Sequence, residues 1–239
     1  CGHWGKNLVR NFAKLNALNP ICDPNSELAE KYAAQYNVRN LSFEEIISDA
    51  SIKGVVLAVP APLHAPMAIE AINAGKHVYV EKPLAMNEKE AENMLSLALH
   101  NKVFLMVGHL LQYHPIFIKA RAIVESGKLG KLNYIYSNRL SFGKVRSEED
   151  VIWSFAPHDV AVILRLLGQS PTQVSATGGS YLTSGLADTT VSNLRFSNES
   201  RAHIFVSWLH PFKEQRLVVV GDEKMAIFND VAAYGEKLQ

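Results

Sequence analysis

Glu81, Lys82 and Pro83 follow one another at the end of the short apolar run His77–Val80. Ligands of open parallel sheets bind outside the carboxyl ends of the strands, and this run predicts a strand that brings Lys82 to that edge. Partial burial lowers the pKa of an amine, which lets it accept a proton from an alcohol. Lys82 is therefore the first candidate for a general base or acid. We interpret Glu81 as a supporting residue with contacts to a cofactor or to the backbone, and Pro83 as the end of the strand.

A second chemical signal lies at the start of the sequence, where CGHWGKN runs into the helical pattern LVRNFAKL. Its glycine spacing, G-x-x-G, is that of the last two glycines of the dinucleotide fingerprint G-x-G-x-x-G, without the first glycine and the strand before it. Backbone N–H groups at such a turn, with the positive end of the helix, are suited to holding a pyrophosphate. The residues predicted to bind cofactor here are Gly2, His3, Trp4 and Gly5.

Asp23 closes the next apolar run, 21 residues after Gly2. A carboxylate at this position can accept hydrogen bonds from the adenosine ribose hydroxyls and would repel a 2′-phosphate, so the sequence predicts NAD rather than NADP. The alternative is a turn or helix-capping residue before Pro24. Because the first strand of a doubly wound sheet is central, we also expect roughly ten to thirty further residues before Cys1 in the intact protein. The end at Gln239, without a closing element, suggests an incomplete C-terminus.

Composition limits the class of protein. The 239 residues are 48% hydrophobic and 20% charged, enough for one large or two modest domains. A net charge of +1 gives no electrostatic reason to expect nucleic acid or an anionic membrane as partner. No apolar run approaches the roughly 18 residues of a membrane span, and the N-terminus lacks a signal-peptide pattern, so a cytoplasmic location is expected. Cys1 and Cys22 lack metal-ligand spacing and are interpreted as packing residues.

Residues 1–108 alternate short apolar runs with helical patterns, which is typical of an α/β Rossmann domain with a doubly wound parallel sheet. Predicted strands end in NPICDP and follow in GVVLAVP, KHVYV and VFLMVG. Predicted helices are SELAEKYAAQY, the segment after the capping box of Ser42 and Glu45, APMAIEAINAG closed by Gly75, and NEKEAENMLSLALHN capped by Asn87 and Glu90.

Residues 109–239 change to a strand-rich pattern and predict an α+β domain with a mostly antiparallel open sheet. The helical segments are HPIFIKARAIVESGKLG, ending near Gly127, and HDVAVILRLLG; the strands are LNYIYSNRLSF, QVSATGGSYL, TTVSNLRFS, RAHIFVSWLHP and RLVVVGDEKMAIF. Alternating Ala202, Ile204, Val206 and Trp208 mark one face packed against a core. Apolar residues such as Trp208 on the sheet's outer face predict pairing with a second copy, giving a homodimer or homotetramer.

The dinucleotide turn, AVPAPLHAPMAIEAINAGKHVYVEKPLA, GKLGKLNYIYSNR and APHDVAVILRLLG together resemble the Gfo/Idh/MocA family of sugar-type oxidoreductases. The resemblance covers nearly the whole chain, and the Glu-Lys-Pro run is its most specific part. Within the family the chain looks closest to dehydrogenases of UDP-linked N-acetylated sugars. The implied reaction transfers a hydride from a sugar secondary alcohol to NAD, with Lys82 as general base. In this family the bond before Pro83 is often cis.

The resemblance also implies a second catalytic residue, His158, facing the sugar hydroxyl. Family members usually carry an aspartate four residues earlier, where this chain has Ser154. Serine lacks the carboxylate's charge, so we expect proton transfer to depend on Lys82, with His158 as a hydrogen-bonding partner. Asp159 either caps the helix or orients the site.

Other predicted contacts lie on loops and on one strand. Pro60 and His64 follow the strand that passes beneath nicotinamide and ribose in the family, but both can be ordinary loop residues. Many relatives carry arginine before an aromatic residue ahead of the helix proline, whereas LLQYHP presents Gln112, Tyr113 and His114. The substrate-facing candidates of the second half are Tyr113, His114, Asn138, Arg139, His158 and Asp159.

Three alternatives remain open at this point. The substrate can be a free sugar or an inositol, oxidised by the same mechanism. His158 and Asp159, with His109 and His114 upstream, are metal-ligand types that occur in hydrolases, but their spacing places no pair at i, i+4 on one helix, and we predict no metal site. The third alternative is a non-catalytic, NAD-binding regulatory protein with the same fold.

Overall fold

The computed structural model describes residues 1–143, 145–146 and 149–239. The chain divides into two units, Cys1–Gly108 and His109–Gln239, and each has its own sheet. No helix within the described ranges is long and apolar enough to cross a membrane.

The sheet of the first unit has three parallel strands in the order β1 (Gly54–Leu57), β2 (His77–Val80) and β3 (Leu105–Val107). These strands confirm three of the four apolar runs read as strands. The prediction of a strand at NPICDP is wrong. In that segment, Ile21 makes only an isolated parallel bridge with Asn40, and no longer run of paired residues extends it into a strand.

Five α-helices belong to this unit: α1 (Gly5–Lys14), α2 (Ser26–Tyr36), α3 (Phe43–Ser48), α4 (His64–Asn73) and α5 (Glu88–His100), with a 3-10 turn at Ala61–Leu63 before α4. The predicted capping box is present, since the Ser42 hydroxyl accepts from the Glu45 N–H at 3.2 Å and the Glu45 carboxylate accepts from the Ser42 N–H at 2.7 Å. Asn87 caps α5 by accepting from the Glu90 N–H.

The core of the first unit lies between α4, α5 and the sheet. Its fully buried residues include Ile72 of α4, Val80 of β2 and Met94 of α5. Strand β2 is the central strand, and its buried apolar side chains fix the position at which the chain leaves the sheet just before Glu81. The core therefore determines where the charged residues after β2 emerge.

The second unit contains a six-stranded sheet in the order β5-β6-β7-β4-β8-β9. Its strands are β4 (Leu132–Phe142), β5 (Gln173–Gly179), β6 (Thr189–Arg195), β7 (Arg201–Ser207), β8 (Leu209–Gly221) and β9 (Met225–Asn229). All neighbours are antiparallel except β4 and β7, which are parallel. The helices are α6 (Pro115–Glu125) and α7 (Val151–Leu167), with 3-10 turns at Leu110–Tyr113 and Tyr234–Glu236.

Helix α7 is longer than the sequence predicts. It begins at Val151, where the Asp150 side chain accepts from the Trp153 N–H at 3.0 Å, and it ends at Gly168 with a φ of 66°. The sequence suggested a boundary near Pro157 because proline lacks an N–H and disfavours helix in the residue before it. Here the proline lies inside the helix. Asp159 therefore lies in mid-helix, and the interpretation of it as a helix cap is wrong.

Trp208 is fully buried on the core side of the second sheet. Its indole N–H donates to the Asp188 carboxylate at 2.6 Å, and its ring meets that of Phe155 on α7 edge to face. The alternation with Ala202, Ile204 and Val206 correctly predicted a core face. The placement of Trp208 on the outer face is wrong, because residues of this spacing share one side of the pleat. The exposed apolar residues of the outer face include Tyr134 and Val191.

Candidate functional site

The carboxyl ends of the three parallel strands define one edge of the first sheet. Leu57 pairs with Val80, and Val80 pairs with Val107, so the strands end at the same level. The segments leading to Pro60 and Lys82 both leave from this edge, which is where ligands bind in such folds. The structure thus brings together these two residues, which the sequence placed in a cofactor site.

Glu81 connects the glycine turn to strand β2. Its buried carboxylate accepts from the Trp4 indole N–H at 2.8 Å and from the Tyr79 hydroxyl at 3.0 Å. The predicted supporting role is therefore a direct tie between the turn and the residue before Lys82. Sequence reasoning missed Tyr79. It lies two residues before Glu81, and side chains two residues apart along an extended chain point to the same side.

Gly108 also belongs to this cluster and was missed as well. A Cβ atom added at Gly108 would lie 2.8 Å from the Tyr79 hydroxyl and 2.9 Å from the Glu81 carboxylate. These distances are shorter than any ordinary carbon contact, so a side chain at this position would force the ends of the Tyr79 and Glu81 side chains to shift. In the sequence, the signal for this residue is the glycine that ends the last predicted strand of the first half, VFLMVG.

The glycine turn fits the pyrophosphate of a dinucleotide. Helix α1 begins at Gly5, and Trp4 at the N-cap position supplies no side-chain cap. The N–H groups of Trp4 and Gly5 have no acceptor within the described part of the chain. A Cβ atom added at Gly5 would make an ordinary contact of 3.6 Å with the Ala58 Cβ, directly after β1. The uncapped amides and the positive helix end together favour an anion here.

Asp23 is a partly buried, ionised carboxylate near the same turn. Its side chain accepts a hydrogen bond from the Asn25 N–H at 2.9 Å. An acceptor that stays charged at neutral pH suits ribose hydroxyls and disfavours a further phosphate. These residues fit NAD.

Lys82 lies half-buried in the irregular segment between β2 and α5, with Pro83 buried beside it. The peptide bond between Lys82 and Pro83 is cis, as the family resemblance implied. Lys82 is therefore delivered to the ligand edge of the sheet by the end of the central strand.

His64 makes contacts different from the predicted contact with a cofactor. Pro60 precedes the 3-10 turn that leads into α4. His64 begins α4 and is only 1% exposed, with Nδ1 2.6 Å from the Pro83 carbonyl oxygen and Nε2 2.9 Å from the Val59 carbonyl oxygen. Because both ring nitrogens contact backbone carbonyls, His64 has no nitrogen left to bind a cofactor directly.

In the second unit, Asp159 and Arg139 form a buried ion pair. The Arg139 guanidinium donates to the two Asp159 carboxylate oxygens at 2.8 and 3.1 Å, and the Ser137 hydroxyl donates to the same carboxylate at 2.6 Å. The pair fastens α7 to β4. Both side chains were predicted to bind substrate, and in the structure they bind each other.

Asn138 lies on the opposite face of β4 from Arg139, because successive strand residues alternate. Its amide donates to the Glu214 carboxylate at 3.1 Å. Asn138 and Arg139 therefore cannot contact one ligand from the same face of the sheet.

His158 and Ser154 are four residues apart on α7, so they lie on the same face of the helix. Successive residues of an α-helix point about 100° apart, so Asp159 and His158 lie on different faces of α7. Asp159 lies on the face that meets β4, and the predicted catalytic histidine lies on another face. Tyr113, at the end of a 3-10 turn, is exposed. His114 caps α6 by accepting from the Ile116 N–H at 3.2 Å, and its Nε2 lies 3.9 Å from the Asp230 carboxylate.

The described residues contain no group of three or more histidine, cysteine, aspartate or glutamate side chains arranged to hold a metal ion. The polar groups assembled at the edge of the first sheet are instead an uncapped helix start, a carboxylate and an amine. This is the donor and acceptor set of a dinucleotide site rather than of a metal centre.

The comparisons with known proteins agree with this site. Residues 2–109 match the model of the oxidoreductase family described as an NAD-binding Rossmann fold, and residues 117–227 match the GFO/IDH/MocA C-terminal domain. The first unit is thus an NAD-binding Rossmann domain. The chain belongs to the Gfo/Idh/MocA oxidoreductase family.

Three relatives illustrate the resemblance. UDP-N-acetylglucosamine 3-dehydrogenase of Acidithiobacillus ferrooxidans is 28% identical over 86% of this chain, and its solved structure superposes with a TM-score of 0.86, at 26% identity over 95% of this chain and 74% of that one. The scyllo-inositol 2-dehydrogenase (NAD(+)) of Bacillus subtilis is 26% identical over 74% of this chain. The WlbA dehydrogenase of Bordetella pertussis, solved with NADH and UDP-GlcNAcA, shares the fold with a TM-score of 0.89, at 23% identity over 97% of this chain and 72% of that one.

The chain covers 64% of the length of the Acidithiobacillus relative and 53% of the Bacillus relative.

Proposed function

We propose that this protein is an NAD-dependent oxidoreductase that transfers a hydride between a secondary alcohol of a sugar, in the first place a nucleotide-linked sugar, and nicotinamide. The observation that carries the proposal is Lys82, a half-buried amine that follows the central strand at the ligand edge of an NAD-binding domain. Its neighbour Glu81 is tied to the glycine turn through Trp4, which links the amine to the pyrophosphate site.

Oxidation of the alcohol removes two hydrogens, one as a hydride from the carbon and one as a proton from the hydroxyl. NAD, when bound, supplies the acceptor for the hydride that leaves the carbon. Lys82 in its neutral form accepts the hydroxyl proton, and the C–O bond becomes a carbonyl. In the reverse direction the Lys82 ammonium returns this proton. Partial burial of Lys82 favours the neutral form that this step requires.

We assign His158 a supporting role, in which it donates or accepts a hydrogen bond at the sugar hydroxyl. Ser154, on the same face of α7, carries no charge that could hold an imidazolium. Proton transfer is therefore assigned to Lys82 alone, and loss of the His158 ring is expected to lower turnover less than loss of the Lys82 amine.

The substrate class is supported by the relatives. Two of those described above are named for, or solved with, UDP-linked N-acetylated sugars, and a third is named for an inositol. A screen of NAD reduction against UDP-sugars, free hexoses and inositols tests this directly. Turnover fastest with a UDP-sugar supports the proposal, and turnover with free hexose or inositol alone would move the substrate to that class.

The test of the mechanism is Lys82→Ala, with Lys89→Ala on the exposed surface of α5 as matched control. Loss of a general base is expected to lower kcat by ~10²–10⁴ while NAD affinity, measured by calorimetry, changes little. The control should keep wild-type kcat. Equal rates for Lys82→Ala and wild type would discard this mechanism, and NAD binding without turnover on any sugar would favour a non-catalytic NAD-binding protein.

Asp23 is proposed to select NAD over NADP, because an aspartate carboxylate is charged at neutral pH. Asp23→Ser removes the charge that repels a 2′-phosphate and one acceptor for the ribose. The ratio of NAD to NADP affinity is expected to fall by about tenfold, which corresponds to about 1.4 kcal/mol. An unchanged ratio would show that Asp23 acts only as a turn residue.

We also propose self-association through the outer face of the second sheet. Tyr134 and Val191 are exposed there, and they replace Trp208 as the apolar residues on which this proposal depends. Exposed apolar residues on a sheet face favour pairing of identical faces about a two-fold axis. Sedimentation is expected to show a dimer or tetramer, and Val191→Asp to shift it toward monomer. Monomer at all concentrations would contradict the proposal.

A further inference from the structure

His64 is the only buried histidine among the described residues whose two ring nitrogens both contact backbone carbonyls. Its Nδ1 lies 2.6 Å from the Pro83 carbonyl oxygen, 19 residues further along the chain. Its Nε2 lies 2.9 Å from the Val59 carbonyl oxygen, at the end of the segment that follows β1. The ring thus joins the start of α4 to two of the chain segments that leave the ligand edge of the sheet.

Few backbone hydrogen bonds hold the segment that follows Lys82. Within the described residues, Pro83, Leu84 and Ala85 make no hydrogen bond to other backbone groups, although Ala85 is buried and Leu84 packs against the core of the first unit. Neighbouring backbone N–H groups with partners include that of Glu81, which donates to the Leu57 carbonyl, and that of Met86, which donates to the Glu90 carboxylate at 3.3 Å. The contact with the imidazole therefore adds a hydrogen bond to the segment immediately after Lys82.

We infer that His64 is a positioning residue for Lys82, an inference that rests on the function proposed above. Its Nδ1–H donates to the Pro83 carbonyl and holds the Lys82–Pro83 peptide against the start of α4. Because His64 is 1% exposed, a variant without this donor leaves the Pro83 carbonyl without the hydrogen bond it makes in the packed interior. The backbone after Lys82 would then be held less firmly relative to the strand that delivers the amine.

One proton suffices for this role. A neutral imidazole with its proton on Nδ1 donates to Pro83, and the contact of Nε2 with Val59 becomes a second hydrogen bond when the ring is an imidazolium. None of the ion pairs between described residues includes His64. The inference therefore concerns the donor on Nδ1 and requires no charged partner.

Three substitutions separate the two contacts of the ring. His64→Asn places an amide N–H near the position of Nδ1, His64→Gln places one near Nε2, and His64→Phe keeps a ring without any donor. If the Pro83 contact matters, Asn should restore function toward wild type, whereas Gln and Phe should not. A purely space-filling role would instead favour Phe.

The first readout does not depend on activity. The full-length protein, without cofactor, is treated with a limiting amine-acylating reagent across a range of pH, and peptide mass spectrometry gives the rate at Lys82 relative to Lys89. We expect the pH dependence of the Lys82 rate to be wild-type-like in His64→Asn and shifted in His64→Gln and His64→Phe. Identical Lys82 profiles in all three variants would overturn the inference.

The second readout is kinetic. A displacement of about 1 Å can lower a rate by as much as ~10², so kcat for His64→Gln and His64→Phe is expected to fall toward that range at unchanged NAD affinity, with His64→Asn intermediate or better. Equal losses for Asn and Gln would also refute the inference. If Lys82→Ala keeps full turnover while the Lys82 labelling profiles still differ among the His64 variants, the proposed function fails and the positioning role stands.

A measurement on the unmodified protein covers the case in which the variants fold poorly. Nitrogen NMR of histidine-labelled wild-type protein reports which ring nitrogen of His64 carries a proton, and the His64→Asn spectrum identifies the signal. We expect a proton on Nδ1. A ring with its only proton on Nε2 cannot donate to Pro83 and would refute the inference.

Discussion

Removing one partner of the buried pair between Asp159 and Arg139 should strongly destabilise the second unit. The side chains are 5% and 11% exposed, and three hydrogen bonds of 2.6 to 3.1 Å converge on the carboxylate. Asp159→Asn leaves the guanidinium buried without a counter-charge, for which we expect a loss of about 3–5 kcal/mol in the free energy of unfolding. At about 3 °C per kcal/mol for a unit of this size, the Tm should fall by roughly 9–15 °C.

Urea unfolding followed by tryptophan fluorescence measures this loss. Trp153 and Trp208 lie in the second unit and Trp4 in the first, so a Trp4→Phe background isolates the signal. Ser137→Ala is the matched control, because it removes one hydrogen bond to the same carboxylate and leaves the ion pair, with an expected loss of about 1–2 kcal/mol.

The double variant Arg139→Met with Asp159→Leu distinguishes the ion pair from the space it fills. Replacing both charges by apolar groups of similar size should recover most of the stability that Asp159→Asn loses. A loss below about 1 kcal/mol for Asp159→Asn, or a double variant no better than the single one, would refute the argument that an uncompensated buried charge is the cause.

Three further predictions concern single positions. Gly108→Ala should lower stability by about 1–3 kcal/mol and weaken NAD binding, measured by thermal melting and calorimetry, because its Cβ would collide with the Glu81 carboxylate; unchanged values would show that the cluster can move. Burial alone would raise the pKa of Asp188, but hydrogen bonds from two backbone N–H groups and the Trp208 indole lower it, so its stabilising effect is complete above about pH 4 and is lost below. The stability gap between wild type and Asp188→Asn should therefore be constant from pH 5 to 7 and shrink as the pH falls further; a gap that grows in acid would contradict this. Ser42→Ala should cost about 1 kcal/mol by urea unfolding, since it removes the capping box of α3, and a neutral result would assign that helix end to packing alone.

Much of the first unit could be predicted from short-range signals. The capping box at Ser42, the cap at Asn87 and the apolar run before Glu81 act through residues close in sequence, so the sequence contains the whole interaction. The same holds for the placement of Lys82, because a parallel strand necessarily ends at the ligand edge. The family resemblance then assigned the cis bond before Pro83, which the structure confirms.

The errors arose where distant residues decide. Pro157 looked like a helix boundary, yet tertiary packing carries α7 through it from Val151. Asp159 looked like a helix cap, but it lies in mid-helix and pairs with Arg139, 20 residues away. Trp208 was assigned to the wrong face because a local pattern shows that residues share a side but not which side meets the core.

The sequence alone determined the two-unit organisation of strands and helices, the dinucleotide turn and the amine after the central strand, because each depends on local spacing and on the geometry of parallel strands. Only the tertiary structure decided which polar groups meet. The ties of Glu81 to Trp4, of His64 to Pro83 and of Asp159 to Arg139 join residues 77, 19 and 20 positions apart. Such contacts are fixed by the packing of whole elements, and no periodicity within one element encodes them.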